Sequence, residues 1–127
     1  YHIHMEPLSM LVARFQFFDL LSVYRFAEVS RIDEFTEQIL EYVDLSRPVI
    51  LIGDINIDLL KQPNNKFSKQ LKGLGFVQLV KEATHISGGL LDHLYVYFPQ
   101  DGHCELLKIH PLYYSDHDAV CCIIEFP

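Results

Sequence analysis

The feature that most constrains the fold is a short, unbroken apolar run, Val49-Ile50-Leu51-Ile52, between Pro48 and Gly53. A run without a polar residue is typical of a strand buried on both faces, which other layers must cover. The preceding segment carries apolar residues at helical spacing: Ile32, Phe35, Ile39 and Val43. A helix feeding a buried strand predicts a layered α/β fold, with helices packed on sheet faces.

The remaining pattern predicts more strands and a second helix. Apolar stretches at 8–13 and 18–24 are expected to pair as a hairpin, and Ser30 is expected to cap the first helix. Phe67, Leu71 and Leu74 predict a second helix that ends at Gly75. Further strands are expected at 76–80, 91–97, 104–109 and 119–126. No repeat or linker interrupts the chain, so residues 1–127 are interpreted as one unit.

Composition limits the functional classes. Half of the 127 residues are hydrophobic, which excludes a disordered tail. The formal net charge of −7 argues against a simple basic face for nucleic acid. Carboxylates gathered around a hard divalent cation would produce the same balance, so charge alone does not choose between these interpretations.

The cysteines and the apolar segments bear on location. Cys104, Cys121 and Cys122 fit neither a disulfide framework nor zinc spacing, and we interpret them as reduced thiols. Neither a signal peptide nor an apolar stretch long enough for a membrane span is visible. We expect an intracellular protein, cytoplasmic or nuclear, that does not act at a membrane.

Three polar motifs lie at expected strand ends: Gly53-Asp54-Ile55-Asn56, Leu91-Asp92-His93 preceded by Thr84-His85, and Ser115-Asp116-His117. In an extended segment Asp54 and Asn56 share a face. Asp92 interrupts an apolar strand and requires a partner, for which a histidine is the natural candidate. His93 should face away from Asp92 as a partly exposed sheet residue. Taken alone, the first and the third motif favour an ordinary turn or loop.

Together, in this order, the motifs resemble those of the endonuclease/exonuclease/phosphatase superfamily, and Ser22-Val23-Tyr24-Arg25 resembles its Tyr-bearing strand. The resemblance covers residues 8–126 and is strongest to the endonucleases of non-LTR retrotransposons. It implies a DNase I-like β-sandwich flanked by helices and phosphodiester hydrolysis that depends on Mg²⁺, with Mn²⁺ as the alternative ion.

The resemblance also implies roles for six residues. Asp54 would orient or deprotonate the attacking water, and Asn56 would hold that water or the phosphate. Asp116, with Asp54, would bind the metal. His117 would contact the phosphate, with Asp92 orienting its ring. A further phosphate contact would come from Tyr24.

One family feature has no counterpart here. The family's first strands carry an Asn and then a Gln-Glu pair whose Glu binds metal, whereas Glu6, interpreted as a surface or edge residue, is the only carboxylate near the amino terminus. We therefore expect residues 1–127 to be the carboxy-terminal portion of one such domain, whose missing amino-terminal portion is its partner, with DNA bound by the full-length form. Two alternatives stay open: an inactive remnant or binding module, and a phosphatase or lipid phosphodiesterase of the same superfamily.

Overall fold

The computed structural model of the protein describes residues 2–5, 8–26, 32–100, 102–112 and 115–125. Ser30, the expected helix cap, Glu6 and Phe126 lie outside the described residues, as does the side chain of Cys104. Among the described residues, neither helix combines the length and the apolar character that a membrane crossing needs.

The described elements form two sheets and two helices. In chain order they are β1 (His2–Met5), β2 (Leu8–Arg14), β3 (Asp19–Arg25), α1 (Ile32–Leu40), β4 (Val49–Asp54), α2 (Lys66–Gly73), β5 (Val77–Gln78), β6 (Asp92–Tyr97), β7 (His103–His110) and β8 (Ala119–Glu125). The larger sheet has the order β1-β2-β3-β4-β6-β5, and β7 and β8 pair as a separate sheet. Strand β3 runs parallel to β4, while β2 and β6 run antiparallel to their neighbours β3 and β4.

The large sheet is covered on both faces, as the buried apolar strand requires. On one face, α1 and α2 bury Phe35, Ile39, Phe67 and Leu71 against β2, β3, β4 and β6. On the other face, Ile50, Leu94 and Val96 pack with Ile109, Val120, Cys122 and Ile124 of the smaller sheet. Helix, sheet and sheet therefore form three layers, which confirms the predicted helix-flanked β-sandwich.

Three features of the secondary structure differ from the sequence-based expectation. Val43 lies beyond the end of α1 but still packs against the core. Strand β1 was not expected. The strand predicted at 76–80 is reduced to Val77–Gln78, because the Gln78 side chain accepts from the Val80 amide (2.7 Å) and donates to the Val80 carbonyl (2.6 Å). These bonds satisfy backbone groups that a continuing strand would have paired.

Candidate active site at the end of the large sheet

The candidate site is a polar row that follows two mainly apolar rows on one face of the large sheet. Pairing across β3, β4 and β6 aligns three rows on the sandwich side: Leu20-Ile50-Val96, then Ser22-Ile52-Leu94, then Tyr24-Asp54-Asp92. The apolar residues of the first two rows pack toward the smaller sheet, and the third row lies where the strands leave the core. The same periodicity that buries the strand thus delivers two carboxylates to its end.

Gly53 allows β3 and β4 to close immediately before this row. A Cβ at this position would lie 1.8 Å from the Val23 carbonyl oxygen, and its φ is +155°. Asp54 then begins a tight turn, in which its Oδ1 accepts from the Asn56 amide at 3.1 Å. Asn56 itself has a φ of 55°, a conformation that Asn tolerates better than most residues. The Gly-Asp-x-Asn motif therefore forms a turn and also supplies polar side chains to the site.

His117 joins the two carboxylates of the row. Its Nδ1 donates to Asp92 Oδ2 at 2.7 Å, and its Nε2 lies 3.4 Å from Asp54 Oδ2. The same Nε2 is 3.9 Å from Asp116 Oδ1. The expected partnership of His117 with Asp92 is present, although the two residues are 25 positions apart.

The surroundings shift the pKa values of two of these groups. Partial burial, followed by the negative charge of Asp92, raises the pKa of Asp54 above its usual range. Burial by itself would lower the pKa of His117, but the hydrogen bond and charge of Asp92, with help from Asp54 and Asp116, produce a net increase. The histidine is therefore biased toward imidazolium, and Asp54 toward a more basic carboxylate.

Thr84 connects the loop that bears His117 to the sheet. Its buried hydroxyl accepts from the Asp92 amide at 3.1 Å, and its carbonyl accepts from the Asp118 amide at 2.7 Å. A second main-chain bond runs from the Ile86 amide to the Asp116 carbonyl at 2.8 Å. Two loops distant in sequence are thus held together next to the site.

Hydrogen bonds to Arg25 fix the position of Asn56. The side-chain nitrogen of Asn56, Nδ2, donates to the Arg25 main-chain carbonyl at 2.6 Å. In return, the buried Arg25 guanidinium donates to the main-chain carbonyls of Ile55 at 3.3 Å and Asn56 at 3.4 Å. This bond from Asn56 uses one of the two N–H groups of Nδ2, so Asn56 can present its side-chain oxygen and the second N–H to a ligand. Sequence reasoning assigned no such role to Arg25, since the motif pattern contains no signal for it.

The structure groups the six candidate residues unequally. Asp54, Asp92, Asp116 and His117 form one cluster around the imidazole. Tyr24 is level with Asp54 on the adjacent strand, is 43% exposed and packs edge-on against Phe26. Among the described residues, no side-chain hydrogen bond is found between Tyr24 and the cluster.

The expectation of a partly exposed His93 is wrong. His93 faces away from Asp92, as expected, but it is only 2% exposed. Its Nε2 donates to the Ile57 carbonyl at 2.9 Å, its Nδ1 accepts from the Tyr95 hydroxyl at 2.9 Å, and Ser68 lies 2.6 Å from that hydroxyl. The residue is buried because helix α2 covers this face, and its polar atoms all have partners.

The cluster offers ligands for a divalent cation. Asp54, Asp92 and His117 each present an atom within 4.8 Å of the others, and so do His85, Asp116 and His117. Carboxylate oxygens are the donors that Mg²⁺ and Mn²⁺ prefer, and Asp54 and Asp116 each supply a carboxylate to one of these groups, so these two residues fit such an ion. His85 completes the second group, although the sequence motif alone assigned it no role.

A separate cleft of about 680 Å³ lies beside α2 and β5 and is lined by Lys69, Lys72, Phe76, Lys81 and Leu90, among others. None of the residues of the polar cluster lines it. The cluster instead occupies an open edge, where the Asp116 side chain is 65% exposed. An open site of this kind is accessible to a bulky substrate.

The sequence matches no protein-family model and no curated protein at a significant level. Solved structures match it over 94% to 99% of its length for the first three. The endonuclease domain of TRAS1, a telomere-specific non-LTR retrotransposon, has a TM-score of 0.61 at 15% identity over 94% of this chain and 62% of that one. The Haemophilus ducreyi cytolethal distending toxin has a TM-score of 0.61 at 13% identity over 99% of this chain and 57% of that one.

An endonuclease/exonuclease/phosphatase family protein from Leptotrichia buccalis has a TM-score of 0.53 at 15% identity, over 94% of this chain and 54% of that one. The chain spans little more than half the length of the structures it matches, between 52% and 62% for the first three. The identities are low, so the likeness concerns the fold. The chain therefore has a DNase I-like fold, which it shares with these structures.

Proposed function

We propose that the chain is the carboxy-terminal portion of a metal-dependent phosphodiesterase domain, and that the domain is a DNA endonuclease of mobile-element type. The observation that carries this proposal is the convergence of Asp54, Asp92, Asp116 and His117 at one end of the sheet. The fold likeness to the TRAS1 endonuclease domain supports the choice of DNA as partner.

In this proposal Asp54 accepts a proton from the attacking water. The raised pKa of Asp54, caused by burial and then by Asp92, makes its carboxylate a better base than an exposed one. Asn56 holds the same water through its side-chain oxygen, while its side-chain nitrogen donates to the Arg25 carbonyl and fixes the orientation of the amide. The tight turn that joins Asp54 to Asn56 keeps these two acceptors adjacent.

His117 binds the phosphate as its negative charge increases. Asp92 uses the Nδ1 proton of the ring, so Nε2–H of the imidazolium is directed at the space beside Asp54 and Asp116. A fixed cationic donor near the phosphoryl oxygens stabilises the transition state more than the ground state. Tyr24, one strand away and exposed, supplies a second donor, its hydroxyl, to a non-bridging oxygen.

Asp116 and Asp54 would hold the divalent cation, with Mg²⁺ proposed and Mn²⁺ as the alternative. A bound cation supplies Lewis-acid stabilisation of negative charge on phosphate oxygens. The exposed Asp116 carboxylate can bind such an ion without releasing the loop, since the main-chain carbonyl of Asp116 accepts the hydrogen bond that anchors the loop.

The proposal includes an intracellular location, cytoplasmic or nuclear, where DNA is found. Cys121 and Cys122 are free thiols in the structure, which suits a reducing compartment. The net charge of −7 predicts weak binding to DNA without the cation, because little long-range attraction steers the substrate to the site.

The test is nicking of supercoiled plasmid DNA with millimolar Mg²⁺ or Mn²⁺, on the 127-residue chain and on the longest reading frame that contains it. Asp54→Asn and His117→Ala are expected to reduce the rate by about 10²–10³-fold. Asp33→Asn removes a carboxylate that is exposed and paired with Lys66 on a different surface, and it should have little effect. We expect only trace nicking from the short chain, because the family's metal-binding Glu has no counterpart in it.

Each contrary result has a defined meaning. Absence of nicking by the longer protein, with inositol phosphates and sphingomyelin also uncleaved, would show an inactive remnant or binding module. Cleavage of one of those substrates instead of DNA would move the protein to the phosphatase or lipid phosphodiesterase alternative. Nicking that survives Asp54→Asn unchanged would show that this cluster is not the active site.

A further inference from the structure

His85, the histidine of the Thr84-His85 dipeptide, lies beside the cluster but is not used by the mechanism above. Its ring centroid is 4.8 Å from that of His117, and the rings are nearly perpendicular. Its Nε2 lies 3.5 Å from Asp116 Oδ2, and its side chain is 20% exposed. The ring of His85 therefore faces the same side of Asp116 as the ring of His117.

The backbone holds His85 in place. His85 and His117 form an antiparallel bridge, and the amides of Ile86 and Asp118 donate to the Asp116 and Thr84 carbonyls. Two turns of main chain are thus joined on either side of the pair. Such a connection fixes the distance between the two imidazoles without using their ring nitrogens.

The hydrogen bonds of the ring specify its tautomer. The Ser87 amide, which can only donate, points to His85 Nδ1 at 3.1 Å, and the Ser87 hydroxyl is 2.7 Å from the same nitrogen. Nδ1 must therefore present its lone pair, and the single proton of the neutral ring lies on Nε2. A metal ion at Nε2 would require the ring proton on Nδ1, where it would face the hydrogen of the Ser87 amide, so this geometry favours Nε2 as a donor over Nε2 as a ligand.

The two histidines are thus held in opposite ways. Asp92 accepts a hydrogen bond from Nδ1 of His117, whereas the Ser87 amide donates a hydrogen bond to Nδ1 of His85. Their Nε2 atoms lie 3.9 Å and 3.5 Å from the Asp116 carboxylate. An anion placed between the rings would meet two N–H groups from different directions.

We propose that His85 is a second phosphodiester-binding residue, whose Nε2–H donates to a non-bridging phosphoryl oxygen beside His117. The inference rests on the proposed function, since it concerns the substrate of the same site. No covalent step involves His85: it binds and orients the phosphate.

The test uses ¹⁵N-histidine NMR of the purified protein, with dimethyl phosphate as a diester probe and inorganic phosphate as a comparison. Before addition, the His85 signals should show a protonated Nε2 and an unprotonated Nδ1. Titration of the diester should move the Nε2 signal of His85 and that of His117. The signals of buried His93 should stay unchanged and so report that the fold is intact.

Two variants separate binding from structure. His85→Gln places an amide N–H near the position of Nε2 and should retain most of the affinity. His85→Asn reaches only the position of Nδ1 and should weaken diester binding by about five- to tenfold, the value of one hydrogen bond. Equal affinity of His85→Asn and the wild type would overturn the inference.

A metal role for His85 is the other way to overturn it. If Mn²⁺ without phosphate broadens the His85 Nε2 signal selectively, or if Nε2 proves to be unprotonated, His85 is a ligand and not a phosphate donor. The binding assay does not depend on cleavage. Diester binding through His85 without DNA nicking would contradict the proposed function alone, and nicking and binding that ignore His85→Asn would contradict this inference alone.

Discussion

At the scale of single residues, three polar side chains at the site, His117, Asn56 and His85, each have one atom held by the protein and another left for a ligand. Asp92 holds His117 through Nδ1, Arg25 holds Asn56 through the amide nitrogen, and Ser87 holds His85 through Nδ1. Side chains restrained in this way lose little conformational freedom when a substrate binds. The arrangement is thus pre-organised before any ligand arrives.

The raised pKa of His117 can be measured directly. We expect an NMR titration of its ring to give a folded-state pKa above 6.5, and Asp92→Asn to lower it, because the hydrogen bond and the charge of Asp92 outweigh partial burial. Since the folded pKa is above the unfolded value, His117 stabilises the fold at low pH, and this contribution is lost as pH rises through the folded pKa. An unchanged pKa in Asp92→Asn would contradict the pairing; Asp33→Asn serves as the charge-matched control.

Buried His93 should make the fold sensitive to acid. Burial lowers the pKa of His93 from 6.5 to about 4. Between these two pH values the unfolded chain therefore binds a proton at His93 and the folded chain does not. The stability it contributes is complete above pH 6.5 and is lost as pH falls toward 4, by about 3 kcal/mol for this group. Urea unfolding at pH 7.5 and pH 4.5 measures the loss.

His93→Phe is the matching variant. It should remove this part of the pH dependence and destabilise the protein at neutral pH by about 1–3 kcal/mol, because the Tyr95 hydroxyl and the Ile57 carbonyl lose a partner. His110→Phe, at an exposed position, is the control. The same pH dependence in both variants would assign the acid sensitivity to other groups.

At the scale of secondary-structure elements, the contact between β3 and β4 decides whether the polar row forms. Gly53→Ala would drive a Cβ into the Val23 carbonyl oxygen, 1.8 Å away, and we expect a loss of more than about 3 kcal/mol or an unfolded chain. Gly73→Ala, at the end of α2, meets no atom within 4 Å and should be neutral or stabilising by up to about 1 kcal/mol. Denaturant midpoints compare the two, and similar losses would show that the close approach of the strands does not control stability.

At the scale of the whole molecule, the three-layer arrangement leaves the metal ligands at an open edge. Asp92 is hydrogen-bonded to His117, so Asp54 and Asp116 are the carboxylates available for an ion in the described cluster. With so few anionic ligands we expect Mg²⁺ to bind with a Kd on the order of 10⁻³ M. Isothermal titration calorimetry should show weaker binding for Asp54→Asn and Asp116→Asn but not for Asp33→Asn, whereas micromolar binding that ignores these changes would locate the ion elsewhere.

Much of the fold could be predicted from local patterns. The hairpin of β2 and β3, both described helices, the buried strand β4 and the strands β6, β7 and β8 follow from apolar periodicity within short windows. Strand β1 and the early end of β5 could not be predicted in this way. The first needs a partner strand to be recognised, and the second depends on the Gln78 side chain.

The sequence by itself determined the layered class and the order of polar motifs at strand ends, because both depend on neighbouring residues. The resemblance implied that Asp92 orients His117, and the tertiary structure decided the geometry in which the polar groups meet. The pairing of Asp92 with His117 and the burial of His93 depend on strand register and on α2, which connect residues far apart in the chain. The tertiary structure also decided the tautomer of His85, since the hydrogen bonds around a ring determine which of its nitrogens carries the proton.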